Sequence, residues 1–154
     1  MSKFVIFLCK TITYNLFSFF LQTYFHIISN LLKIKEINMK VLIIDDSDLI
    51  RERLISKFNI YKHIKVIGLS GKVHDIMDEI RAYDPDAIIL DIHLAGENGI
   101  EILKNIKNQK RKTRVIVLTT NSNPKYRKVC MKYGADDFLD KARDFEKIPE
   151  IMLD

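Results

Sequence analysis

Asp45 and Asp46 close the apolar run Val41-Leu42-Ile43-Ile44, and Asp91 closes a second run, Ala87-Ile88-Ile89-Leu90. Two later runs also stop in polar groups: Val115-Ile116-Val117-Leu118 in Thr119, and Phe138-Leu139 just before Lys141. Carboxylates brought close together repel and raise one another's pKa unless a cation joins them. Hard oxygen donors with room for water suit Mg²⁺, which also accepts a phosphate oxygen. A lysine supplies a point charge that pairs first with carboxylate and later with phosphoryl, and a threonine hydroxyl donates a hydrogen bond to the same oxygens. Three acids, a hydroxyl and a lysine therefore describe a site for Mg²⁺-dependent phosphoryl transfer, built to neutralise charge on the moving group. Each residue has a plainer reading alone: Asp45-Asp46-Ser47 caps a helix, Thr119 and Thr120 form a turn, and Lys141 is a solvated lysine. Their coincidence at strand ends favours the site.

The elements that must position these groups follow from the same runs. Strands are expected at 40–44, 64–69, 87–90, 114–118 and 136–139, too short and too uniformly apolar to be half-exposed. Between them lie stretches of helical spacing: Ile50, Leu54 and Phe58; Val73, Ile76, Met77 and Ile80; Ile100, Leu103 and Ile106. Ser47 and Asn98 are the expected N-caps, and Asp84-Pro85 closes the second helix. Five strand–helix repeats imply an α/β fold with a parallel sheet, helices on both faces and right-handed crossovers. In such a sheet ligands gather beyond the carboxyl ends of the strands, where these acids stand.

The chain of 154 residues reads as a hydrophobic, basic extension, 1–38, followed by a domain, 39–154. The extension carries Lys3, Lys10, Lys33 and Lys35 against Glu36 alone, so much of the formal charge of +5 lies outside the domain and does not argue for nucleic acid. Thr11–Leu32 has no charged residue and is long enough to span a bilayer, but it contains nine polar residues and no signal-peptide cleavage pattern. Met39 stands at the start of the first strand, so 1–38 is expected to be either a mis-assigned start or a weak membrane segment. Cys9 and Cys130 match no metal or redox spacing; Cys130 is expected to pack on the fourth helix.

The motifs Val41-Leu42-Ile43-Ile44-Asp45-Asp46-Ser47, Ile89-Leu90-Asp91-Ile92-His93-Leu94 with Gly99, Val117-Leu118-Thr119-Thr120 and Gly134-Ala135-Asp136-Asp137-Phe138-Leu139-Asp140-Lys141 together resemble the receiver domain of bacterial two-component response regulators, of the stand-alone chemotaxis type. The resemblance covers 39–154. It implies the flavodoxin-like receiver fold with strand order 2-1-3-4-5, an order the general rules for doubly wound sheets already illustrate with a receiver. It implies that Asp91 is the phosphoacceptor, served by the phosphohistidine of a sensor kinase. Asp45, Asp46, Asp91 and the backbone carbonyl of His93 would hold Mg²⁺. Thr119 would be the switch hydroxyl, Phe138 the switch aromatic and Lys141 the phosphate-binding lysine.

Several positions depart from the family pattern. Ala95 and Ala142 stand where proline is common, the second often after a cis bond. Thr120 replaces a small residue and is expected to crowd the phosphoryl. His93 and Asn121 occupy positions that tune phosphoryl lifetime in the family; the His93 ring is expected to line the entrance rather than to ligate metal or carry phosphate. On phosphorylation Thr119 would move to Asp91 and Phe138 would rotate into the space vacated. That would remodel the face of the fourth helix, fifth strand and fifth helix, with Lys125, Tyr126, Arg127, Lys128, Lys132 and a helix over Asp144–Asp154, for an acidic partner or a dimer mate. Lys110-Arg111-Lys112 with Arg114 reads as an exposed loop.

The resulting expectation is a cytoplasmic, stand-alone receiver that signals by protein contacts and is no enzyme beyond its own phosphorylation and dephosphorylation. Its donor would be a sensor histidine kinase or a phosphotransfer protein. It would not touch nucleic acid directly, and it would meet a membrane only if 1–38 is real. The alternatives are a phosphorelay intermediate, a truncated DNA-binding regulator, and a Mg²⁺-dependent phosphohydrolase with an Asp nucleophile. The last would place its nucleophile in an Asp-x-Asp run, which Asp45-Asp46-Ser47 is not.

Overall fold

A computed structural model describes residues 22–23, 39–70, 76–109 and 112–153. The rest of the candidate span 11–32, Val73 of the second helical face, Lys110, Arg111 and Asp154 lie outside them. The chain divides between Ile37 and Asn38. Among the described residues, no helix is long and apolar enough to cross a membrane.

The five apolar runs form one sheet. Its strands are β1 (Met39–Ile44), β2 (Ile64–Ser70), β3 (Ala87–Leu90), β4 (Arg114–Thr119) and β5 (Asp137–Asp140). They lie in the order β2-β1-β3-β4-β5, and all pairings are parallel. That is the receiver order. Their alternating side chains feed two cores, as the period of two in a strand requires. Leu42, Ile44, Ile88, Leu90, Val115 and Val117 face one side, packed with Ile76 and Ile80 of α2 (Ile76–Tyr83), Ile102, Leu103 and Ile106 of α3 (Gly99–Asn108) and Cys130 of α4 (Pro124–Lys132). Val41, Ile43, Ala87, Ile89, Ile116 and Leu118 face the other, against Leu54 and Phe58 of α1 (Asp48–Phe58) and Ile148 and Met152 of α5 (Ile148–Leu153).

Ser47 caps α1, its side chain accepting the Ile50 N–H, and Asn98 caps α3 by accepting from Ile100. The buried stripe of α3 runs through Ile102, Leu103 and Ile106, with Ile100 only partly buried. Beyond β5 the expected continuous helix over Asp144–Asp154 is not formed. Phe145–Lys147 is a 3₁₀ turn, and α5 begins at Ile148. Pro149 explains the break. An α-helix would take the fourth-residue donor for the Phe145 carbonyl from position 149, and proline has none; the Ile148 N–H supplies the bond instead.

Candidate functional site: an acidic cleft at the carboxyl edge

β1 and β3 are adjacent, so the groups that follow them are adjacent too: the Asp91 N–H donates to the Ile44 carbonyl at 2.9 Å. Asp45 and Asp91 are buried, the latter only 3% exposed, while Asp46 is exposed. Asp45 Oδ1 accepts the Ser47 N–H at 3.0 Å, and its main-chain carbonyl accepts Arg51 Nη1 at 2.6 Å. Asp91 Oδ1 accepts the His93 N–H at 2.9 Å. Gly99, eight residues after Asp91, opens α3 directly against this loop: a Cβ there would lie 2.4 Å from Ile92 Cα and 2.7 Å from the Asp91 carbonyl oxygen. Only glycine permits that approach.

Lys141 reaches the acids from the far side. Its N–H bonds the Thr119 carbonyl at 2.9 Å, extending the β4–β5 ladder. Its Nζ lies 2.5 Å from Asp91 Oδ2 and 2.7 Å from Asp45 Oδ2. Burial opposes the lysine's charge, but hydrogen bonds to Asp45 and Asp91 outweigh it and hold the ammonium above its ordinary pKa. Burial pushes the Asp45 carboxyl up, with Asp91's charge adding to it, against the pull of Lys141 and the Ser47 N–H.

Sequence reasoning missed what turns the chain at this lysine. Asp140 Oδ1 accepts the N–H groups of Ala142 at 2.8 Å and Arg143 at 3.1 Å, and Asp144 Oδ2 accepts the Asp140 N–H at 3.1 Å. The Ala142 amide is one that proline would lack, and among the described residues no peptide bond is cis. The spacing Asp140-x-x-x-Asp144 was the available signal. Ala95 behaves alike: its N–H, also absent from proline, donates to Asp46 Oδ2 at 3.0 Å.

The hydroxyl of Thr119 accepts the Asn121 N–H at 3.2 Å and lies 3.0 Å from His93 Nδ1. The His93 ring in turn meets Tyr126 edge-on, centroids 5.3 Å apart. Thr120 and His93 line a cleft of about 470 Å³ with Asp46, Asp91, Lys141 and Ala142. The Asn121 side chain faces its own loop instead, accepting the Asn123 N–H at 3.3 Å. Phe138 is buried, 2% exposed, and Arg127 donates to its carbonyl at 2.7 Å with the guanidinium 5.0 Å from the ring centre.

Asp45, Asp46 and Asp91 each offer an oxygen within 4.8 Å of the others. Ionised, three carboxylates against one ammonium leave two negative charges, which a divalent ion with oxygen preference matches. The donor set therefore fits Mg²⁺.

Residues 41–153 match the response regulator receiver domain family. The chain is 35% identical over 105 residues to a protein-glutamate methylesterase/protein-glutamine glutaminase of Clostridium acetobutylicum, a match covering 67% of this chain and 30% of that protein. It is 30% identical over 114 residues to the sensory transduction protein LytT of Bacillus anthracis, covering 74% and 46%. The chain thus spans half or less of the length of these curated relatives. Among solved structures, the response regulator domain of Thermotoga maritima CheB aligns with TM-score 0.65 and 29% identity, covering 75% of this chain and 91% of that one. The isolated receiver of Salmonella enterica RcsB, solved with the phosphomimetic BeF3⁻, shares the fold, with TM-score 0.70 and 22% identity over 75% and 86%. The chain belongs to the response regulator receiver family, and its work lies in two-component signalling.

Proposed function

We propose that Asp91 accepts a phosphoryl group in a Mg²⁺-dependent reaction. The carrying observation is a buried Asp91 carboxylate that opens on the cleft, with Lys141 Nζ at 2.5 Å and two more aspartates alongside. An Asp91 oxygen forms the new bond to phosphorus as the bond from phosphorus to the donor's imidazole nitrogen breaks, the electron pair leaving on that nitrogen. Lys141 follows the transferring oxygens, and the Thr119 hydroxyl can donate to them. Asp45, Asp46, Asp91 and the His93 carbonyl would hold Mg²⁺, which supplies charge neutralisation at the phosphoryl oxygens. Thr120 and the His93 ring stand at the mouth and would set access of donor and water, and so the phosphoryl lifetime. The phosphodonor would be a sensor histidine kinase or a phosphotransfer protein in the cytoplasm.

The working unit in this reading is 39–154, which holds every residue named for the site. Output runs through protein contacts of α4, β5 and the segment 145–153. Lys125, Lys128 and Lys132 are exposed on α4 and offer an acidic partner its attachment, whereas Arg127 is already engaged on Phe138. Incubating the full chain with Mg²⁺ and acetyl phosphate should give one phosphoryl adduct by intact mass, absent without Mg²⁺ and absent in Asp91→Asn. No adduct on a folded chain would reject the reading.

A further inference from the structure

The two acids that follow β1 share one peptide bond. The Asp45 carbonyl and the Asp46 N–H lie in a single plane, so whatever holds that carbonyl orients both residues. Arg51 holds it. From the first turn of α1 it donates through Nη1 to the Asp45 carbonyl at 2.6 Å, a short charge-assisted bond. Its Nη2 bonds the carboxylate of Asp48, the first residue of the same helix. A guanidinium is a rigid planar fork, and these two contacts restrict it to one setting. The Arg51 side chain is largely covered, 15% exposed, whereas that of Asp48 is 85% exposed.

The carboxylates of the pair have anchors of their own. Asp45 Oδ1 accepts the Ser47 N–H, Asp45 Oδ2 pairs with Lys141, and Asp46 Oδ2 accepts the Ala95 N–H. None of these bonds holds the main-chain link between the two residues. A turn of that peptide would carry the Asp46 carboxylate away from Asp45 and Asp91, whose oxygens now lie within 4.8 Å of it. Arg51 supplies the missing restraint from outside the set of ligands, for a guanidinium only donates and cannot itself bind a cation. Charge alone would argue the other way, because a fixed positive group beside a cation site repels the ion. Pairing with Asp48 offsets that repulsion and leaves the restraint.

We propose that Arg51 is a positioning residue for the divalent ion, setting the Asp45–Asp46 peptide so that both carboxylates meet the ion together with Asp91. The proposal rests on the Mg²⁺-dependent phosphoacceptor reading above. Arg51 acts on affinity for the ion, and phosphoryl transfer proceeds at its usual rate once the ion is bound.

Mn²⁺ is the probe, because the fall in its free-ion electron paramagnetic resonance signal measures bound ion without any reaction. Titrating the full chain, Arg51→Met and Arg51→Lys gives a dissociation constant for each. Arg51→Met keeps an unbranched stem and deletes both donors. Its affinity should fall about tenfold, the lower end of the range for removing a group that orients a metal ligand. Deleting a positive charge and freeing Asp48 would by themselves tighten cation binding, so the sign of the change separates positioning from electrostatics. Arg51→Lys keeps the charge and a donor for the carbonyl, and should recover most of the affinity. At saturating Mg²⁺, phosphorylation of Arg51→Met by acetyl phosphate should return to the parental rate. Should Arg51→Met fail to fold, Arg51→Gln, equally uncharged, takes its place under the same outcomes. Unchanged or tighter Mn²⁺ binding in the uncharged variant would overturn the proposal. So would a lysine variant no better than the uncharged one, or a transfer rate that stays low at saturating Mg²⁺. In each of these cases the unaltered chain still binds Mn²⁺ and takes the phosphoryl group, and the phosphoacceptor reading stands. An unaltered chain that binds no Mn²⁺, or gains no phosphoryl group, would remove that reading and the proposal with it.

Discussion

Lys141 neutralises two buried carboxylates at once, and its loss is the most costly single change in the cleft. Removing one partner of a buried ion pair leaves charge unpaired at low dielectric, at a cost of roughly 3 kcal/mol or more. Lys141→Met should therefore unfold at lower denaturant than the unaltered chain by about that amount at neutral pH. Mg²⁺ should restore part of the loss, because the same carboxylates are its ligands. Phosphorylation by acetyl phosphate should slow by roughly a hundredfold, the scale seen when one charge-stabilising donor is deleted. A variant as stable as the parent in Mg²⁺-free buffer would show that the lysine's pairing with these carboxylates does not hold the fold.

At the scale of elements, the site depends on how closely α3 approaches the Asp91 loop. Gly99→Ala would put a methyl group 2.4 Å from Ile92 Cα, against backbone that cannot move aside as a side chain can. Its expected cost is about 2 kcal/mol by denaturant unfolding, the middle of the range for overpacking. The turn after β5 gives a second test. Asp140 is held below the ordinary carboxylate range, first by the Ser122 hydroxyl and then by the Ala142 N–H, and Asp144 by the Asp140 N–H. A carboxylate with a depressed folded pKa stabilises the fold above its unfolded pKa of 3.8, and that contribution is lost as pH falls through the lower folded value. Asp144→Asn should thus melt below the unaltered chain at pH 6, with the gap closing towards pH 2.

The strands were legible because buried parallel strands are continuous apolar runs, and their ends showed as abrupt carboxylates. Ser47, Asn98 and Asp84-Pro85 marked helix ends by chemistry local to the chain. What stayed illegible was tertiary. Thr119 and His93 are 26 residues apart, and Arg127 finds Phe138 only after α4 has packed beside β5. Pro149 is a local signal against one continuous last helix, because it lacks the N–H that the Phe145 carbonyl would need.

For the whole molecule, metal and fold should be linked. An ion that binds the native acids and not the unfolded chain stabilises by about 2.7 kcal/mol at a hundred times its dissociation constant. The thermal midpoint should climb with Mg²⁺ concentration, and Asp46→Asn should flatten that climb while leaving the Lys141 pairing in place. A midpoint indifferent to Mg²⁺ would show that the three acids do not hold the ion. The sheet order also makes this linkage reach far: β1 and β3 lie at the centre of the sheet, with a neighbour on each side. A change at their ends therefore loads both cores.

Ala95 and Ala142 leave the cleft with two amide protons that a proline-bearing relative would not possess, one bonded to Asp46 and the other to Asp140. Each can be replaced by deuterium from solvent, at a rate set by how often its carboxylate lets go. The Ala95 amide would clock the freedom of Asp46, and the Ala142 amide that of the turn carrying Lys141. Together they form a pair of native isotopic clocks, one reading Asp46 and the other the turn that carries Lys141, readable without any label attached to the protein.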